Sequence, residues 1–202
     1  MSSINLKELA KGIDLCIENA TGLIEETRLL FDKNRFPRCF SLCVLAVEEI
    51  GKIEVVARGA LIRETEGEEW KRFRKDFKSH EMKQAHAIVM HFAQVRSSEG
   101  SKGLRRRFRS SGRFTLDRAK QLGLYVDLVD SKFVSPHTMI SRKLAREALN
   151  RAEETLGRYD GLPKGKNLEL FLAEFQKSAP DEWKTDQELM ALRRILNELH
   201  QD

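Results

Sequence analysis

Behind a proline at position 37, residues 39–62 read CFSLCVLAVEEIGKIEVVARGALI, and no other stretch constrains the fold as tightly. Pro37 suits a first helical turn, because its missing N–H is one that a helix start leaves unpaired anyway. The first half of the run is apolar on nearly every side of a helical wheel, which predicts a helix placed centrally with neighbours all round. Into this helix are set Glu48, Glu49, Gly51 and Lys52. An unpaired buried charge is strongly disfavoured, so these groups are expected to pair or to face a cleft. Gly51 weakens a helix by about 1 kcal/mol relative to alanine, which close approach of another helix would justify.

The remaining segments are also helical in pattern. From Asn5 to Asp32, Leu6, Leu9, Ile13, Ile17, Ala20, Ile24, Thr27 and Phe31 recur at steps of three and four, and Lys33-Asn34-Arg35 reads as a turn. A third segment, 68–95, carries Trp70, Phe73 and Phe77 at helical spacing, expected to pack the core, with Ser79 as a new cap and a break near Lys78. Residues 97–113 read as a basic loop. A short helix is expected from Thr115 to Leu122 with Gly123 as its stop, then an extended stretch over 124–128 and a break at Ser135-Pro136. Leu144, Ala148, Ala152 and Leu156 mark a helix over 140–156. After a linker over 157–166, shorter helices are expected over 168–177 and 187–200, the latter with Thr185 and Glu188 as a capping box. Only 4 of the 202 residues are proline and long alternating runs are lacking, so a sandwich or barrel is disfavoured. The expectation is an all-α antiparallel bundle over 1–157, with 158–202 as a helical extension packed on the same domain.

Cys16, Cys39 and Cys43 are odd in number, and the last two lie one turn apart in an apolar run. Buried free thiols in a reducing compartment are the expectation. No apolar run approaches a membrane span, and the N-terminus lacks a signal peptide's apolar block, which points to a cytoplasmic protein without membrane association. The formal net charge of +5 is unevenly spread. Arg105, Arg106, Arg107, Arg109 and Arg113 fall in one short stretch, either a solvated basic loop or a phosphate-attracting patch for RNA.

The polar groups that could carry chemistry are Glu48, Glu49, Lys52, Arg74, His80 and Lys83. Glu48 and Glu49 each sit within one turn of Lys52, and His80 shares a face with Lys83. Neighbouring cations would keep His80 neutral and usable as a base, whereas a neighbouring glutamate would do the opposite. The same residues could equally form an ion-pair network that locks two helices. His86 and His91 are five apart, missing the spacing of helical metal ligands, and no metal site or cofactor motif is legible.

Several pieces together resemble the AbiV-type abortive infection proteins, bacterial antiphage factors of the HEPN superfamily. They are Asn19-Ala20, Arg35-Phe36-Pro37-Arg38 leading into Leu45-Ala46-Val47-Glu48-Glu49-Ile50-Gly51-Lys52, and Phe77-Lys78-Ser79-His80-Glu81-Met82-Lys83. Gly123-Leu124-Tyr125-Val126-Asp127 and Ser135-Pro136 also match, so the resemblance runs from Leu6 to Leu156. Many HEPN proteins are metal-independent endoribonucleases marked by an Arg followed a few residues later by His; Arg74 and His80 have five residues between them. In an unbroken helix such residues lie about 120° apart around the axis, so they converge only across a break or a dimer. The resemblance implies an antiphage effector acting on RNA or translation, with His80, Arg74, Lys83, Glu48, Glu49 and Lys52 as its site, in a symmetric homodimer and without a cofactor. It also admits a non-catalytic interaction protein, switched on by a phage-encoded activator.

Overall fold

The computed structural model describes residues 5–62, 67–78, 116–129 and 131–178. These form seven helices and one small hairpin: α1 (Leu6–Asp32), α2 (Phe36–Gly59), α3 (Glu68–Lys78), α4 (Leu116–Leu124), β1 (Asp127–Val129), β2 (Lys132–Val134), α5 (Pro136–Met139), α6 (Arg142–Gly157) and α7 (Lys166–Ser178). The architecture is all-α, as the periodicity requires.

Asn5 caps α1 by accepting the Glu8 N–H at 2.9 Å, which satisfies one of the donors a helix start leaves open. The buried stripe of α1 is Leu9, Ile13, Cys16, Ala20, Ile24, Thr27 and Phe31, at the expected three-and-four spacing. The chain reverses through Asn34, whose φ of 57° is a left-handed conformation that asparagine tolerates. α2 then runs back along α1. The first half of α1 shares a core with Ile50, Ile53 and Val56 of α2, whereas Ile24 and Phe31 share one with Cys39, Cys43 and Ala46. That crossed matching makes α1 and α2 an antiparallel pair.

α2 is the central element, with residues buried along its whole length and α1, α3, α4, α5 and α6 packed around it. Each fully buried Ile or Val here contributes about 1.5–3 kcal/mol. α6 presents Ala145, Leu149 and Ala152 to the second core, with Leu144, Ala148 and Leu156 partly buried beside them, so its apolar face is wider than a four-residue step suggests. α7 closes the first core with Leu168 and Leu172. Its start is held where the Gly165 N–H donates to Asp14 Oδ2 at 3.0 Å, and its end where Gln176 Nε2 donates to the Ala60 carbonyl at 2.7 Å.

Cys16, Cys39 and Cys43 are free and buried, as expected. A hydrogen bond to Cys43 is the main influence holding the Cys39 thiol below its ordinary value, with nearby Arg146 acting in the same direction against burial. That bond and burial push the Cys43 thiol up.

Three local expectations need correction. Gly123 does not stop a helix: α4 continues through Leu124, and Gly123 faces Pro37 and Ser41 of α2 so closely that a Cβ would collide with both. The extended segment begins at Asp127, later than the expected Leu124, and pairs with an unforeseen β2 in antiparallel register, Leu128 opposite Phe133. Of the α3 aromatics Phe73 packs on the first core as expected, whereas Phe77 is exposed; Trp70 stacks on Phe73 at 4.9 Å between ring centroids, and Asp76 is the buried residue of that helix.

Candidate functional site

Two adjacent glutamates on α2 diverge, because neighbouring positions on a helix are about 100° apart. Glu48 is directed into the α2–α4 contact, 3% exposed, and its Oε1 accepts from Lys120 Nζ at 3.1 Å. Lys120 is itself buried, and its carbonyl accepts from Ser41 Oγ at 2.7 Å, with Pro37 O at 3.2 Å from the same hydroxyl. Ser41, Glu48 and Lys120, with the bare backbone of Gly123, therefore form one polar seam between two helices. It satisfies the requirement that charges in the central helix be paired.

Glu49 turns the other way. Its Oε1 accepts from Lys52 Nζ at 2.5 Å, and both side chains remain part-exposed. Lys52 Nζ also lies 5.7 Å from the centroid of the Phe77 ring on α3, within cation–π range. The α2 turn and the last turn of α3 thus meet around one ammonium group. Phe77 in turn stacks on Phe73, 6.3 Å between centroids, and Phe73 packs on the first core and close to Gly59, which anchors the end of α3 on α2.

Of the residues selected from sequence, Glu49 and Lys52 are brought together, and Glu48 is one position away on a different face, buried against Lys120. Arg74 is exposed on α3. His80, Lys83 and the basic residues Arg105, Arg106, Arg107, Arg109 and Arg113 lie outside the described residues. Lys120 was not selected: it stands 72 positions from Glu48, and only its place within a short helical segment hinted at an inward role. Among the described residues, no group of three His, Cys, Asp or Glu side chains is arranged to hold a metal ion, and no helix is long and apolar enough to cross a membrane.

The fold and site define an all-α helical bundle built round a central apolar helix that carries an acid–lysine turn. A family model described as AbiV, HEPN_AbiV, matches residues 8–157, from the first helix to the end of α6. The chain belongs to that family of HEPN-type abortive-infection proteins. No curated protein and no solved structure matches the chain. The match ends at Gly157, ahead of α7, although Leu168 and Leu172 of α7 complete the first core.

Proposed function

We propose that this protein is an antiphage abortive-infection effector that acts on RNA or translation through a metal-independent, endoribonuclease-like site. The observation that carries this reading is Lys52 held between Glu49 and Phe77. It brings Phe77, three residues ahead of His80 in the chain, to the acid–lysine turn of α2. In this reading an RNA 2′-hydroxyl attacks the adjacent phosphorus as the bond to the 5′-oxygen breaks, and His80 takes the 2′ proton and hands it to the leaving 5′-oxygen. Lys52, with Arg74 or Lys83, stabilises the charge that grows on the phosphoryl oxygens. Glu49 orients Lys52, and Glu48 fixes the helix that carries both. Attack by the 2′-hydroxyl makes DNA inert. The stretch from Arg105 to Arg113 supplies phosphate contacts, the active form is a homodimer in the cytoplasm, and a phage-encoded protein switches it on.

The test is incubation of purified protein with RNA in EDTA. Cleavage is expected, and His80→Ala should abolish it while the circular-dichroism spectrum is kept. RNA left intact by the wild-type protein, with its activator present or absent, would refute the nuclease reading.

A second reading is favoured by the Glu48–Lys120 pair, which spends one of the two acids on helix packing. It is a non-catalytic HEPN-fold interaction protein, triggered by binding a phage protein. In that case His80→Ala retains antiphage protection.

A further inference from the structure

One end of the bundle combines cations with aromatic side chains that the fold leaves outside. The α1–α2 turn, the start of α2, the hairpin and the start of α6 all converge there. α4 is seated by Gly123 against Pro37, so the chain leads into the hairpin from beside the first turn of α2. Ile140 and Met139, just after the hairpin, pack on Phe40 and Val44 of α2. Arg146 and Arg142 of α6 lie 3.8 Å and 5.8 Å from the ring centroid of Phe31, whose edge meets Phe36. On this end Arg35, Arg38, Lys132 and Arg142 are exposed, against Asp32 and the half-buried Asp127. Tyr125 is 65% exposed and Phe133 83%, so both rings are open to solvent.

We propose that this end docks single-stranded RNA, with the four cations on phosphates and the Tyr125 and Phe133 rings stacked on unpaired bases. The inference rests on the reading that the protein acts on RNA, and it adds where the strand lies. Cations alone would suit any polyanion. The rings beside them select a polyanion that carries flat, stackable groups, which a single strand offers and a duplex hides. The surface is separate from the Glu49–Lys52–Phe77 contact, so it serves to hold the strand and not to cut it.

The experiment is fluorescence anisotropy of the full chain with a labelled polyuridine single strand in EDTA, across a salt series, with heparin as a polyanion that lacks bases. Arg35→Glu/Arg38→Glu should weaken RNA binding at least tenfold and make the log–log salt slope shallower by about 1.4, the share of two phosphate contacts on a single strand. Tyr125→Ala/Phe133→Ala should weaken RNA binding about tenfold or more, keep the salt slope, and leave heparin binding unchanged. All four side chains are exposed, so thermal melts should match the wild type. Unchanged RNA affinity in both variants overturns the proposal, and is the result expected if the surface instead meets a protein. Equal loss of RNA and heparin in the aromatic variant overturns it too. Wild-type protein that neither binds nor cuts RNA defeats the underlying functional reading, whereas wild-type binding that survives both variants defeats only this surface.

Discussion

Lys120 Nζ lies 3.1 Å from Glu48 Oε1 inside the bundle, joining two helices whose sequence positions are 72 apart. A buried pair of this kind contributes little by existing and costs a great deal when halved. Lys120→Met or Glu48→Leu should therefore lower unfolding stability by about 3–5 kcal/mol, the cost of removing one partner of a buried ion pair. Glu48→Leu/Lys120→Met, apolar at both positions, should recover most of that loss. Urea unfolding of the two single variants and the double variant checks the cycle. Additive losses in the double variant would mean that the two groups do not act as a pair.

The seam beside this pair depends on a missing side chain. Gly123→Ala would drive a methyl group into Ser41 Oγ and the Pro37 carbonyl. α4 would have to retreat, loosening the Ser41–Lys120 hydrogen bond, at a cost of about 1–3 kcal/mol. Thermal denaturation followed by circular dichroism reads the change. Without that close contact alanine would be neutral or stabilising, because the φ of Gly123 is not in the left-handed region.

How much of this was legible depended on sequence separation. Helical spacing offered Lys52 either Glu48 or Glu49, and the pair with Glu49 is the one found. The stripe of α1 and the buried cysteines follow from periodicity in the same way. The partner of Glu48 did not, because nothing local ties Lys120 to α2. Gly123 was misread because a glycine near the end of an apolar repeat looks alike whether it ends a helix or admits a neighbour. β2 was missed because three residues, Lys132 to Val134, carry no alternation of their own and become a strand only by pairing with β1. The α3 aromatics had core-like spacing, but α3 packs on α2 by its last turns, leaving Phe77 to cover Lys52 rather than fill a core.

The C-terminal helix lies beyond the family match yet belongs to the first core. Leu168→Ala should cost about 2–5 kcal/mol, as for other fully buried leucines. Asp14→Ala, which removes the acceptor for the Gly165 N–H, should raise hydrogen exchange over 166–178 while sparing α2. Exchange that rises equally across the whole bundle would show that α7 is not held separately by this contact.

Stability at alkaline pH should report on Tyr159. Burial, followed by its 2.7 Å hydrogen bond to Glu54, raises its pKa far above the ordinary tyrosine value. The folded state thus keeps a proton that the unfolded chain gives up near pH 10, so this contribution is complete below about pH 10 and is lost as pH rises beyond it. The chain has 2 tyrosines. In the ultraviolet phenolate band Tyr159 should ionise only as the protein unfolds. Tyr159→Phe should flatten the fall of stability above pH 10. Phenolate absorbance from Tyr159 while the fold is intact would contradict this.

The claim on which the functional account turns is that Lys52 and His80 act on one phosphate. The direct measurement is a double-mutant cycle on RNA cleavage in EDTA, comparing Lys52→Met, His80→Ala and the double variant with the wild type. Groups that work as a unit are non-additive, so the double variant should be no slower than the slower single one. Losses that multiply, or a Lys52→Met variant that cleaves at the wild-type rate, would contradict a shared site.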